Sequence, residues 1–153
     1  MKLFLRAFTS RSYARKNYTL QTCRTLRGEI ENGKILLLKK FSKEYYETHG
    51  GKTEEKESIE DCLVRELQEE IGIKVVSFTK FLEMDKFTFE NKEITNHSFL
   101  IKEFEGKPRL MENDIFEKIV WVNIKEAKEL PLAPNVKKII KKLKELPKNK
   151  SYN

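Results

Sequence analysis

The stretch from Ser58 to Ile73, SIEDCLVRELQEEIGI, constrains this chain most. Its apolar residues recur at helical spacing, with Ser58 able to cap the first turn and Gly72 placed to stop the last. On a helix of about 100° per residue, Ile59, Cys62, Leu63, Leu67 and Ile71 form one apolar stripe. A solvated acidic face would lie opposite that stripe, where Asp61 and Gln68 fall. Glu66 and Glu70 do not lie there. They are within about 60° of the stripe's centre, and Glu69 flanks them. Such a helix must bury one face while carrying three carboxylates on or beside the buried edge.

That placement is costly unless something offsets it. Like charges about 4 Å apart repel by roughly 1 kcal/mol in water and roughly 4 kcal/mol at an effective dielectric of 20. The carboxylates also sit near the helix C-terminus, the wrong end for anions. Protonation, cationic neighbours or a hard divalent metal could compensate. Arg65 is expected to point elsewhere on the helix and so cannot neutralise all three, which makes the metal the favoured answer. An oxygen-rich donor set suits Mg²⁺ or Mn²⁺, with water and phosphate completing the shell. Just upstream, Gly50-Gly51 allow the backbone to approach a ligand closely. A carbonyl there, that of Gly50, is a candidate metal ligand, and Lys52 is a candidate phosphate contact. His49 reads either as turn filler or as a substrate contact.

The remaining pattern supplies the sheet and a second helix. Residues 18–40 read as a hairpin: an alternating strand, an Asn32-Gly33 turn, and the buried run KILLLKK. Residues 41–57 read as a loop. KVVSFTKFLEM and KFTFENKEITNHSFLIKEF read as three strands, with a turn near Asn91. EGKPRLMEND is a loop, EKIVWVN a strand and IKEAKEL a short helix. A last helix starts at Pro134, with Val136, Ile139, Ile140, Leu143 and Leu146 on one face and lysines on the other. The fold class expected is α/β, a mixed sheet with helices on both faces. Cys62 and Trp121 read as core, and His97 as structural.

With 153 residues the chain has room for one domain with a real core. The expected division is a basic extension over 1–17, the domain over 18–147 and a tail over 148–153. A formal net charge of +7 makes an anionic partner plausible without choosing among nucleotide, nucleic acid and lipid headgroup. No apolar run approaches the ~20 residues of a membrane helix, so no membrane partner is expected. Two cysteines without a CxxC pattern point to a reduced, cytoplasmic setting. The acid-free first 28 residues, rich in Arg and Lys, also have the composition of an organellar targeting segment. Either a monomer or a homodimer is compatible with the sequence.

Written out, the glycine–helix stretch is Gly51, five residues, Glu57, seven residues, Arg65-Glu66-Leu67, one residue, Glu69-Glu70, one residue, Gly72-Ile73. It resembles the Nudix box, GX5EX7REUXEEXGU, with every defined position filled. The resemblance implies an α/β/α sandwich that cleaves a nucleoside diphosphate linked to another moiety with a divalent metal. It extends over about residues 18–146. Gly106, Pro108 and Glu112 match the G-x-P-x-x-x-E pattern of the MutT-like branch, and WVNIKEAKELPLAPNVKKII is similar to that branch's C-terminal part. By this similarity Glu66, Glu69, Glu70 and Glu112 are metal ligands, and the catalytic base is Glu66, Glu69 or Glu112. Glu57 and Arg65 pair to hold the loop against the helix. Asn135 reads a base edge, a role that competes with simple helix capping.

The implied reaction is water attack on a nucleoside triphosphate, giving monophosphate and pyrophosphate, with an oxidised dNTP such as 8-oxo-dGTP, or (d)CTP, as substrate. The alternatives are another nucleoside-diphosphate-X substrate, RNA 5′ ends, or a non-catalytic nucleotide sensor. Nucleic acid is the less favoured partner, because no aromatic-basic array is present. ADP-ribose is disfavoured, because no proline occurs between Gly72 and Pro108. Three positions depart from the branch. Thr48 and His49 stand where it commonly has an aromatic and a proline, and Lys56 stands where it often has glycine. Tyr45, Tyr46 and Phe87 are the substitutes available for the missing base-stacking aromatic.

Overall fold

The computed structural model describes residues 20–26, 28–29, 33–89 and 91–145, with side chains left undescribed over 20–29 and at 82–85, 87 and 89. The first 17 residues, Asn32, Leu146 and the tail lie outside the described residues, as do the readings made for them. The elements run β1 (Leu20–Leu26), β2 (Gly28–Glu29), β3 (Lys34–Lys40), β4 (Tyr46–Glu47), α1 (Ile59–Ile71), β5 (Lys74–Phe89), β6 (Lys92–Glu105), β7 (Phe116–Asn123), a 3-10 turn (Ala127–Glu129) and α2 (Pro134–Glu145).

β3 explains the layering. Its four consecutive apolar residues, Ile35 to Leu38, are all buried, because both faces of the strand are covered. Leu36 packs with Cys62, Leu63, Leu67 and Ile71 of α1. Ile35 and Leu37 pack with Val136, Ile139 and Ile140 of α2. β6 divides the same way, with Phe99 and Ile101 toward α1 and Leu100 toward α2. The result is a mixed α/β/α sandwich. One sheet has the order β1-β6-β5, with β1 parallel to β6. The other is built on β3, which pairs antiparallel with β2, β4 and β7. The lysines of α2, from Lys137 to Lys144, are solvated on its outer face.

Four expectations are corrected, the first being the loop read over residues 41–57, within which Tyr46–Glu47 pairs with β3 as β4. The segment read as the first arm of a hairpin mostly leaves β3: Leu20–Leu26 runs parallel to β6, and among the described residues of the arm Gly28–Glu29 alone turns back onto Lys34 and Ile35. The two strands read within 74–89 are one. No Gly, Pro or Asn breaks that run, and β-bulges along the β5–β6 ladder absorb its irregular alternation. Trp121 is not core: it is 40% exposed on β7. The turn at Asn91 is as expected, with Asn91 at φ 60°.

Phe99 is fully buried and meets Phe78 edge-on, with ring centroids 5.5 Å apart. Phe99→Ala should therefore cost about 3–5 kcal/mol in urea unfolding. A loss below about 1 kcal/mol, the size typical of a surface change, would contradict this packing.

Candidate active site

α1 begins and ends as its sequence dictates. The Ser58 hydroxyl accepts the Asp61 N–H at 3.0 Å, and Gly72 closes the helix in the left-handed region at φ 68°. The exposed carbonyls of its last turn are then taken up by the loop after β6. The Arg109 N–H donates to the Ile71 carbonyl and the Met111 N–H to the Glu70 carbonyl, each at 3.1 Å. Gly106, at φ 96°, lets this loop turn against Gly72, whose carbonyl a Cβ there would meet at 3.3 Å. Glu112 follows directly, so a carboxylate from the far loop is delivered to the acidic end of α1. Arg109 and Met111 are contributors that sequence reasoning missed, since their role lies in their backbone N–H groups, which no side-chain pattern reports.

The glycine loop runs along α1 and is tied to it residue by residue. The Gly50 N–H donates to Glu70 Oε2 at 3.1 Å. The Gly51 carbonyl lies 3.9 Å from the Cys62 thiol. The Lys52 carbonyl accepts from Arg65 Nη2 at 3.0 Å. A side chain at Gly51 would collide with the Glu66 carboxylate, at 2.2 Å from its Oε1. The glycine is therefore required by the close approach of Glu66.

Arg65 corrects the reading that it points elsewhere. Its Nε and Nη2 bind both oxygens of Glu57, at 2.7 and 2.9 Å, and its Nη1 reaches Glu66 at 2.8 Å and Glu69 at 3.1 Å. The guanidinium is long enough to span one helical turn and to hold the loop at the same time. Cationic compensation is thus used for Glu66 and Glu69. The Glu70 carboxylate instead takes the Gly50 N–H and lies 3.4 Å from His49 Nδ1.

Electrostatics leave a residue of negative charge. Burial pushes the Glu66 carboxyl above its ordinary value; the Arg65 hydrogen bond opposes this, while Glu70 and Glu69 add to it. Burial also raises Glu112, with Glu70, Glu69 and Asp114 pushing the same way. That field ties Glu112 to the same acidic cluster. Glu57 is held below its ordinary value chiefly by Arg65, and Arg65 is held above its own chiefly by Glu57.

The structure brings together Glu57, Arg65, Glu66, Glu69, Glu70 and Glu112, with Gly50, Gly51 and Gly72 shaping the backbone around them. Among the described residues, no three His, Cys, Asp or Glu side chains stand close enough to form a ready metal site. The donors nevertheless fit a hard divalent cation: they are oxygens, partly buried, and crowded beyond what Arg65 offsets. Lys52 has an exposed side chain, and His49 is fully buried. Asn135 is half-buried in the first turn of α2, a helix whose entry is bonded to β4 by the Ala133 N–H to the Tyr46 carbonyl at 2.9 Å. Lys56, where glycine is common in the branch, adopts φ 63°, a conformation costing roughly 1–2 kcal/mol for a residue with a Cβ.

The NUDIX domain model matches residues 28–143. The chain belongs to the Nudix family. It is 31% identical over 120 residues to the 8-oxo-dGTP diphosphatase of Escherichia coli (strain K12), covering 76% of this chain and 90% of that protein. It is 32% identical over 107 residues to the CTP pyrophosphohydrolase of the same organism, covering 67% of this chain and 76% of that protein. A MutT NUDIX hydrolase from Burkholderia pseudomallei shares the fold, with a TM-score of 0.73 at 22% identity over 82% of this chain and 98% of that one. The protein is therefore a Nudix hydrolase, of a family that acts on small nucleotide substrates. Among the described residues no helix is long and apolar enough to cross a membrane.

Gly51→Ala meets only the flexible end of Glu66, so it should displace that carboxylate without unfolding the chain. Turnover should fall about 100-fold, the usual effect of a misplaced group, with the melting temperature nearly unchanged; an active Gly51→Ala would contradict the close approach. Glu57 has a depressed folded pKa, so its contribution to stability is full above the ordinary value of 4.5 and is lost as pH falls through the folded pKa. Thermal melts of Glu57→Gln should therefore differ from wild type near neutrality and converge with it as pH falls below the folded pKa of Glu57. A constant difference across that range would show that the ion pair is not its cause.

Proposed function

We propose that this Nudix hydrolase converts a nucleoside triphosphate to the monophosphate and pyrophosphate, using Mg²⁺ or Mn²⁺. The observation that carries the reading is the delivery of Glu112 to the end of α1 where Glu66, Glu69 and Glu70 already crowd. The names of its relatives support a substrate of the 8-oxo-dGTP or CTP type.

In this reading Glu66, Glu69, Glu70 and Glu112, with the Gly50 carbonyl, hold the cation. A bound divalent cation offsets the charge of the phosphate chain and makes water a better nucleophile. The rest of the work is positioning, as in phosphoryl chemistry generally. Arg65 restrains Glu66 and Glu69 through charge-assisted hydrogen bonds. That leaves Glu112, which Arg65 does not grip, as the carboxylate to accept the proton of the attacking water. Lys52, exposed on the loop, meets phosphate as a point charge. Asn135 reads the base edge from the start of α2.

Pyrophosphate release should be measured with Mg²⁺ on a panel of 8-oxo-dGTP, dCTP, CTP, ADP-ribose, a dinucleoside polyphosphate and triphosphorylated RNA. A triphosphate nucleotide should be the best substrate, and EDTA should abolish turnover. Glu70→Gln should lower kcat/KM by at least about 100-fold while the protein stays folded. Preference for RNA or ADP-ribose, or near-wild-type turnover by Glu70→Gln, would overturn the assignment.

A further inference from the structure

His49 occupies a position where the MutT-like branch commonly has proline, and the reaction described above gives it nothing to do. It is fully buried, at 0% exposure, beside the loop glycines. Its Nδ1 lies 3.4 Å from Glu70 Oε2. The same oxygen accepts the Gly50 N–H at 3.1 Å. These two contacts fall on one oxygen, from two consecutive loop residues. Glu70 is itself buried, at 5% exposure, so its orientation is decided by those neighbours more than by solvent.

Burying an imidazole in place of an apolar ring carries a desolvation cost unless a polar group answers it. The polar group facing Nδ1 is a carboxylate of the proposed metal-binding set, at an ion-pair distance of 3.4 Å that falls outside hydrogen-bond geometry. We propose that His49 is a positioning residue for Glu70: with the Gly50 N–H it restrains the carboxylate through Oε2, and so sets how Glu70 meets a divalent cation. A proline at this position could supply no such contact, so the device belongs to this chain's own departure from the branch. The inference rests on the cation-binding role proposed for Glu70.

The test uses the full chain and Mn²⁺ alone, titrated while the electron paramagnetic resonance signal of free Mn²⁺ is followed, with thermal melts alongside. His49→Asn places an amide nitrogen near the Nδ1 position, and His49→Gln places one near Nε2. His49→Leu keeps the volume and removes the polar atoms. The Asn variant should bind Mn²⁺ nearly as wild type does. The Gln and Leu variants should bind about 10- to 100-fold more weakly, the usual effect of losing a group that orients a metal ligand. A purely space-filling role would let Leu bind as wild type does, and that result overturns the proposal. So does an Asn variant no better than Gln, a comparison that decides the matter alone if Leu fails to fold. Glu66→Gln separates the two levels. If wild type binds Mn²⁺ no better than Glu66→Gln, the cation reading falls and the role of His49 falls with it. If wild type binds and the His49 series is flat, only the role of His49 falls.

Discussion

The Arg65 guanidinium is the interaction on which the rest of the site depends. It grips Glu57 with two parallel hydrogen bonds, takes the Lys52 carbonyl, and reaches Glu66 and Glu69. One planar fork therefore fixes the glycine loop, the helix and two carboxylates relative to each other. Such bidentate, charge-assisted contacts are stronger and more directional than neutral ones. Lysine could not replace this arginine, because a point charge cannot hold four partners in set directions.

Around that fork, the fold supplies rigidity where the site needs it. α1 is anchored by Leu63, Leu67 and Ile71 against Leu36, Phe99 and Ile101, so its acidic edge cannot drift from the sheet. The loop after β6 then caps the helix with backbone N–H groups, and this cap delivers Glu112. A single device satisfies the carbonyls at the helix end and completes the acidic cluster. Negative charge at a helix C-terminus is unfavourable, and the cation site proposed above would turn this to use.

Much of this was legible in the sequence, for definable reasons. The helical period, Ser58 and Gly72 are local signals, and they gave α1 its ends. The misplacement of Glu66 and Glu70 on the apolar side could be read from angles alone, and Glu70 is indeed buried. What could not be read depends on long-range geometry. Leu20–Leu26 looks like a hairpin arm because a turn signal follows it, yet its pairing with β6 is set by sheet topology. Bulges replaced a break in β5 because a bulge needs no signal residue. Arg65 was misjudged because helical angle locates a Cβ and says little about a long side chain's end. Lys56 shows the reverse: the branch's glycine is explained by a positive φ that the chain keeps without it.

On the reading proposed above, the acidic edge of α1 is held for a divalent cation. The most direct test is an anomalous difference map from crystals soaked in Mn²⁺. A peak is expected in contact with the carboxylates of Glu66 and Glu70, close to the Gly50 carbonyl. Full Mn²⁺ occupancy elsewhere on the surface, with Arg65 still holding Glu66 and no peak at Glu70, would contradict it.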